Sequence, residues 1–168
     1  MSDTCSIFIV RHAIAAERGK AYPDDALRPL TPAGKEKFRK VVLGLAWLDV
    51  RVDRIVSSPL VRARQTADIL AEYLPGKPEV FETEALAPGA TFDDLRARME
   101  AFGRCSSVAL VGHEPGVGEI AARLLGLRHP LVFKKGAVCR IDIETLPPAG
   151  PGELRWFVPP KVLARLRG

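Results

Sequence analysis

The sequence predicts an α/β fold: a three-layer α/β/α sandwich whose central sheet is mainly parallel, with helices on both faces. Two observations predict it. Short apolar runs rich in β-branched residues, "SIFIV", "RIV" and "SVALVG", recur along the chain, and segments of helical periodicity stand between them. A third observation gives the arrangement a purpose. Each run ends directly in residues that carry chemistry: Arg11-His12, Ser57-Ser58 and His113.

The elements follow in order. Ile7 to Val10 are apolar without alternation, as a strand buried on both faces requires. After the polar stretch "AAERGKAYPDDALRP", the segment "LTPAGKEKFRKVVLGLAWL" predicts a helix with Thr31 as N-cap and Pro32 at its first position. "VDRIVSS" predicts a second strand, and "PLVRARQTADILAEYL" a helix entered at Pro59 and stopped by Pro75-Gly76. "EVFETEAL" predicts a third strand, "TFDDLRARMEAF" a helix capped by Thr91, "SVALVG" a fourth strand and "VGEIAARLLGL" a fourth helix. "AVCRIDIE" and "GELRWFV" alternate as a closing hairpin would, across the turn "TLPPAGPG".

With 168 residues, 47% hydrophobic and 27% charged, and with no repeat or linker, residues 1–168 are expected to form one domain. The net charge of +5 favours acidic partners. Nucleic acid is disfavoured, because aromatics are 7% and do not interleave with the basic residues. Cys5, Cys105 and Cys139 form no C-x-x-C pair, which fits neither a disulfide framework nor a structural zinc site. No signal peptide or membrane-spanning run is visible, so the expected location is the cytoplasm.

In open parallel sheets, ligands sit beyond the carboxyl ends of the strands. There the sequence would gather Arg11, His12, Ser58, Arg62 and His113, beside a helix N-terminus. Guanidinium forks and backbone N–H groups of this kind suit a dianionic phosphate. Taken singly, each element has a plain structural reading; all three motifs at the same position in the fold favour a site. His129 precedes a proline in a loop and reads as structural or exposed. No H-E-x-x-H or clustered metal ligands are seen, so no metal and no cofactor is expected, although Asp24 and Asp25 leave the metal question open.

The motifs "VRHA", "RPLTPAG", "SSPLVRARQTA" and "LVGHEPGV" resemble those of the histidine phosphatase superfamily of phosphoglycerate-mutase-like enzymes, over essentially the whole chain. The likeness is greatest to its small SixA-type phosphohistidine phosphatase branch. The resemblance implies a phosphoglycerate-mutase-like fold, His12 as the nucleophile that becomes phosphorylated, and Arg11, Arg62 and His113 completing the phosphate pocket. Arg28 of "RPLT" would lean over the rim. Ala13 stands where the family's Arg-His-Gly signature has glycine. Around "FETEALAPGATFDDL", where many relatives place a carboxylic acid, the pattern blurs. Glu84 is preferred there as general acid and Asp93 is the second choice, its alternative role being to favour the dipole of its own helix.

The expected chemistry is attack by a neutral imidazole on phosphorus, without a metal, followed by water. If His12 and His113 titrate freely, the rate should be bell-shaped around neutrality. A chain this short has little from which to build a lid, which favours a phosphohistidine-bearing protein as substrate and inorganic phosphate as product. Small phosphate esters or polyphosphate on the same site remain the alternative, and a non-catalytic phosphate-binding module the alternative of another class. Lys134 and Lys135 in "FKKGAV" are either neighbours of the site that attract an acidic partner or a longer phosphate chain, or two solvated lysines.

Overall fold

The structure is a computed structural model and describes residues 4–166. Residues 1–3 and 167–168 of the expected 1–168 domain therefore lie outside the described residues. Six strands form one sheet: β1 (Cys5–Arg11), β2 (Arg54–Ser57), β3 (Glu79–Glu82), β4 (Ser107–Gly112), β5 (Val138–Ile143) and β6 (Glu153–Val158). Their order across the sheet is β3-β2-β4-β1-β5-β6. The first four run parallel, whereas β5 is antiparallel to both β1 and β6. The sheet is thus mixed, with a single reversed strand contributed by the C-terminal hairpin.

Strand β1 lies between β4 and β5, and its residues alternate between two cores. Ile7 and Ile9 pack with Leu95 and Met99 of α3 (Phe92–Met99) and with Ile120 and Leu124 of α4 (Gly116–Leu125). Phe8 and Val10 pack on the other face with Phe38 and Val42 of α1 (Pro32–Trp47) and Ala63 and Leu70 of α2 (Val61–Tyr73). Full burial of each of these larger side chains contributes about 1.5–3 kcal/mol. A helix layer on each face of the sheet is the three-layer sandwich expected from the unalternating apolar runs. No helix of the described residues is long and apolar enough to cross a membrane.

Local chemistry accounts for the boundaries. Thr31 caps α1 by accepting from Gly34 N–H at 2.9 Å. A side chain at Gly34 would overlap the Ile14 carbonyl oxygen, so only glycine lets this helix start close beneath the loop that follows His12. The second helix begins at Val61, two residues later than expected; Ser58 Oγ accepts from Leu60 N–H and holds the approach. The third strand stops at Glu82, shorter than expected, because Thr83 Oγ1 accepts from Ala85 N–H and turns Glu84–Leu86 into a 3-10 helix. A short helix, α5 (Pro160–Leu163), was not expected; it packs against α1 and buries Leu163 in the core on that face of the sheet.

Candidate functional site

Three parallel strands deliver the polar residues to one end of the sheet. Arg11 is the last residue of β1, and His12 N–H donates to the Gly112 carbonyl at 2.9 Å, which ties it to the end of β4. His113 follows β4 directly, and the His12 and His113 rings lie 5.2 Å apart between centroids. Arg62, on the first turn of α2, faces inward and is 2% exposed. Together with Arg28, these four side chains line a cavity of about 400 Å³.

Hydrogen bonds fix the state of each imidazole. His12 Nδ1 lies 2.7 Å from the Ala13 carbonyl. A carbonyl oxygen only accepts, so Nδ1 carries the proton and Nε2 of the neutral ring holds a lone pair. His113 Nε2 meets Ser58 Oγ at 2.8 Å, and that oxygen already accepts from Leu60 N–H. We assign the Ser58 hydroxyl hydrogen to His113 Nε2, which leaves the proton on Nδ1. His113 Nδ1 has no partner, and Arg11 Nε and Arg62 Nε likewise have none. Three buried nitrogens without partners, two of them guanidinium N–H groups, are costly in a folded protein and suited to an anion that accepts from them.

Burial dominates the electrostatics. It pushes the His12 pKa down to about 3, with the charges of Arg62 and Arg11 and the neighbouring His113 acting in the same direction against the Ala13 carbonyl. Burial also lowers His113 to about 4, aided by Arg62 and opposed by Asp25. The pKa of each of Arg11 and Arg62 is lowered by burial, partly offset by Glu114 and Asp25 respectively. A guanidinium remains protonated under any such shift at neutral pH. The cavity therefore presents neutral imidazoles among fixed cations.

Several expected residues stand elsewhere. Ser58 is fully buried and does not line the cavity; its hydroxyl meets the site through His113 Nε2 at 2.8 Å. Glu84 and Asp93 do not line the cavity either. Glu84 lines a different hollow with Arg54 and Arg98, because the 3-10 turn carries it off the strand end. Asp93 is on the surface, 3.3 Å from Arg123. His129 is exposed. Lys135 lines the cavity, whereas Lys134 does not.

Asp25 is the residue whose part in the site sequence reasoning missed. Its carboxylate meets Arg62 at 2.9 Å, Arg28 at 3.0 Å and Arg18 at 3.1 Å, and its carbonyl accepts from Arg62 at 2.8 Å. Burial raises its pKa, but Arg62 and Arg28 outweigh this and hold the carboxyl below its usual range. No metal cluster forms around it: among the described residues no group of three or more His, Cys, Asp or Glu is disposed to hold an ion. Arg28 also donates to the Ala16 carbonyl at 2.7 Å, which holds the loop after His12 over the cavity. Glu17 and Glu114 are further carboxyls in the lining, and Glu114 accepts from Phe133 N–H at 2.8 Å. The only hint in the sequence was the acidic pair Asp24-Asp25 just before "LRPLT".

Residues 7–88 match the family model of the histidine phosphatase superfamily (branch 1). The phosphohistidine phosphatase SixA of Escherichia coli strain K12 is 30% identical over 158 residues, 92% of this chain and 93% of that protein. An uncharacterized protein of Picosynechococcus is 36% identical over 137 residues, 79% of this chain and 81% of that protein. The solved structure of the protein histidine phosphatase SixA complexed with tungstate superposes with a TM-score of 0.83 at 27% identity, over 94% of this chain and 99% of that one. Likeness at this level over nearly the whole of both chains has one explanation in sequence and fold alike: the protein belongs to the histidine phosphatase superfamily, in its SixA-like branch, and is a phosphatase.

Proposed function

We propose that the protein removes phosphate from a phosphorylated histidine of another protein, through a phosphohistidine formed transiently on His12. The observation that carries this reading is the His12 tautomer, with Nδ1 held by the Ala13 carbonyl and Nε2 left as a lone pair among unpartnered donors. In the first step Nε2 bonds to phosphorus as the substrate's P–N bond breaks. The leaving imidazole departs neutral once its distal nitrogen has taken a proton from solvent. Arg11, Arg62 and Arg28, with His113 Nδ1–H, stabilise the charge on the equatorial oxygens. Water then attacks the phosphorus on His12, inorganic phosphate leaves, and Nε2 recovers its lone pair. Each step balances without a metal.

The choice of phosphohistidine has its own support. Exchange between two imidazoles is close to thermoneutral, and a leaving imidazole needs little proton delivery, whereas an alkoxide needs much. Neither Glu84 nor Asp93, the two acid candidates of the blurred stretch, lines the cavity, and of the carboxyls that do, Asp25 is paired with Arg62 and Arg28, Glu114 accepts from Phe133 N–H, and Glu17 is exposed. The cavity also borders a larger hollow of about 520 Å³ that shares Pro88, His113 and Glu114 with it, which leaves space beside the phosphate for more than a small ester. SixA of Escherichia coli is named a phosphohistidine phosphatase, which points the same way. The test is rapid quench with a phosphohistidine-bearing protein followed by mass spectrometry. Phosphate on His12 is expected. Turnover without it, or a label on another residue, would sink the covalent step, and faster hydrolysis of a simple alkyl phosphate would sink the substrate.

A further inference from the structure

Next to the phosphate cavity, and sharing Lys135 with it, lies a hollow of about 430 Å³ between α1, α5 and the loop at Lys135. Its floor is apolar. Phe38 and Val41, one turn apart on α1, are each 1% exposed, and Ile14 and Pro160 stand beside them. Its rim carries Lys37, Lys40, Lys135, Lys161 and Arg165, and among the described residues no carboxylate lines it. Lys40 lies 3.9 Å from Glu36. The other four form no ion pair among the described residues.

Five cations around one hollow repel one another, and among the described residues only Glu36, beside Lys40, pairs with any of them. A small anion would find only flexible lysine tips and one guanidinium there, over a floor without donors. An amphipathic segment with acidic side chains meets both features, its apolar residues on the accessible Ile14, Pro160 and Ala164 above the buried Phe38 and Val41, and its carboxylates on the rim. A protein whose phosphorylated side chain enters the cavity would lay its adjoining surface here, because Lys135 borders both hollows. We propose that this hollow docks an acidic, amphipathic segment next to the phosphorylated histidine of the substrate protein. It rests on the phosphohistidine reading of the site and names the kind of partner that site serves.

The experiment compares the wild type with a Lys37→Glu/Lys161→Glu variant, both positions being exposed and outside the phosphate cavity. Three phosphodonors serve as probes: phosphoimidazole, a histidine-phosphorylated peptide with Asp, Glu and Leu on both sides, and the same peptide with Asn and Gln for the acids. Wild type should prefer the acidic peptide by about tenfold in kcat/KM, mostly through KM, a preference that fades with added salt. The variant should lose that preference and keep phosphoimidazole turnover within about twofold. Equal rates on the two peptides in wild type, a preference that survives the charge reversal, or an equal loss on phosphoimidazole would each overturn the docking surface. So would binding to phosphatidylglycerol vesicles, lost in the variant, without any peptide preference. If none of the three probes is hydrolysed while an alkyl phosphate is, the chemistry proposed for the site has failed, and the docking proposal falls with it.

Discussion

Arg62 and Arg64 stand two residues apart on α2 and meet opposite surroundings. The side chain of Arg64 is 40% exposed and pairs with Asp68 and Glu82, each at 2.9 Å. Hydrogen bonds to these carboxylates raise its pKa. The side chain of Arg62 is 3% exposed, burial lowers its pKa, and its Nε has no partner. Same residue type, same helix, different reserve. The outer arginine has its donors satisfied in a medium that screens charge, where such a pair is worth about 0–1 kcal/mol. The inner one keeps an unused donor where the effective dielectric is low and an arriving anion is held strongly.

The inner face matters most through the nucleophile it surrounds. His12→Ala should reduce turnover to background while a thermal melt still shows a cooperative fold, and activity near that of the wild type would remove His12 from the mechanism. Arg62→Ala comes next. Loss of a charged donor to the transferring group should cost on the order of 10²–10³ in kcat/KM, whereas Arg64→Ala should stay within about twofold. If the two variants are impaired alike, the contrast between the faces of α2 is mistaken.

The pH dependence sharpens the same contrast, since burial that withholds solvent from Arg62 also withholds it from both imidazoles. With His12 near 3 and His113 near 4 in the folded protein, both stay neutral well below the ordinary histidine range. The acid limb of kcat/KM should therefore fall below pH 5, after allowance for titration of the phosphodonor, and not near neutrality as freely titrating histidines would give. Folding stability has a matching sign. The unfolded chain takes up these protons near pH 6.5 and the folded chain near 3 to 4. Their contribution is whole above about pH 6.5 and is lost as pH falls through that window. Thermal melts without phosphate should show the decline, and His113→Gln should flatten part of it. A melting temperature unchanged between pH 7 and 4.5 would count against buried neutral imidazoles.

The smallest effects belong outside the cavity. Glu84→Gln and Asp93→Asn should each change phosphohistidine hydrolysis by less than about twofold, because neither lines the cavity. Steady-state kinetics with a phosphohistidine protein and with an alkyl phosphate checks this. A hundredfold loss on the ester in either variant would restore that carboxyl as the acid.

Much of the arrangement was legible in the sequence, because backbone physics carries it. Consecutive apolar residues from Ile7 to Val10 can be satisfied only by burial on both faces. Strands alternating with capped helices make a parallel sheet, and such a sheet gathers whatever follows its strands. Arg11, His12, Arg62 and His113 meet around one cavity for that reason alone. Other features depended on contacts between residues far apart in the chain. Asp25 reaches Arg62 across 37 positions and Ser58 reaches His113 across 55, so neither partnership leaves a local pattern. Glu84 was misplaced because one hydroxyl, that of Thr83, took the Ala85 N–H and turned the chain at that point. The cationic hollow is assembled from α1, α5 and the loop at Lys135, whose lysines read singly as solvated surface. Periodicity and strand ends are local properties, and the sequence by itself determined them. Which donors remain unpaired, and which charges share a surface, only the tertiary packing decided, because both depend on what the rest of the chain brings within a few ångströms.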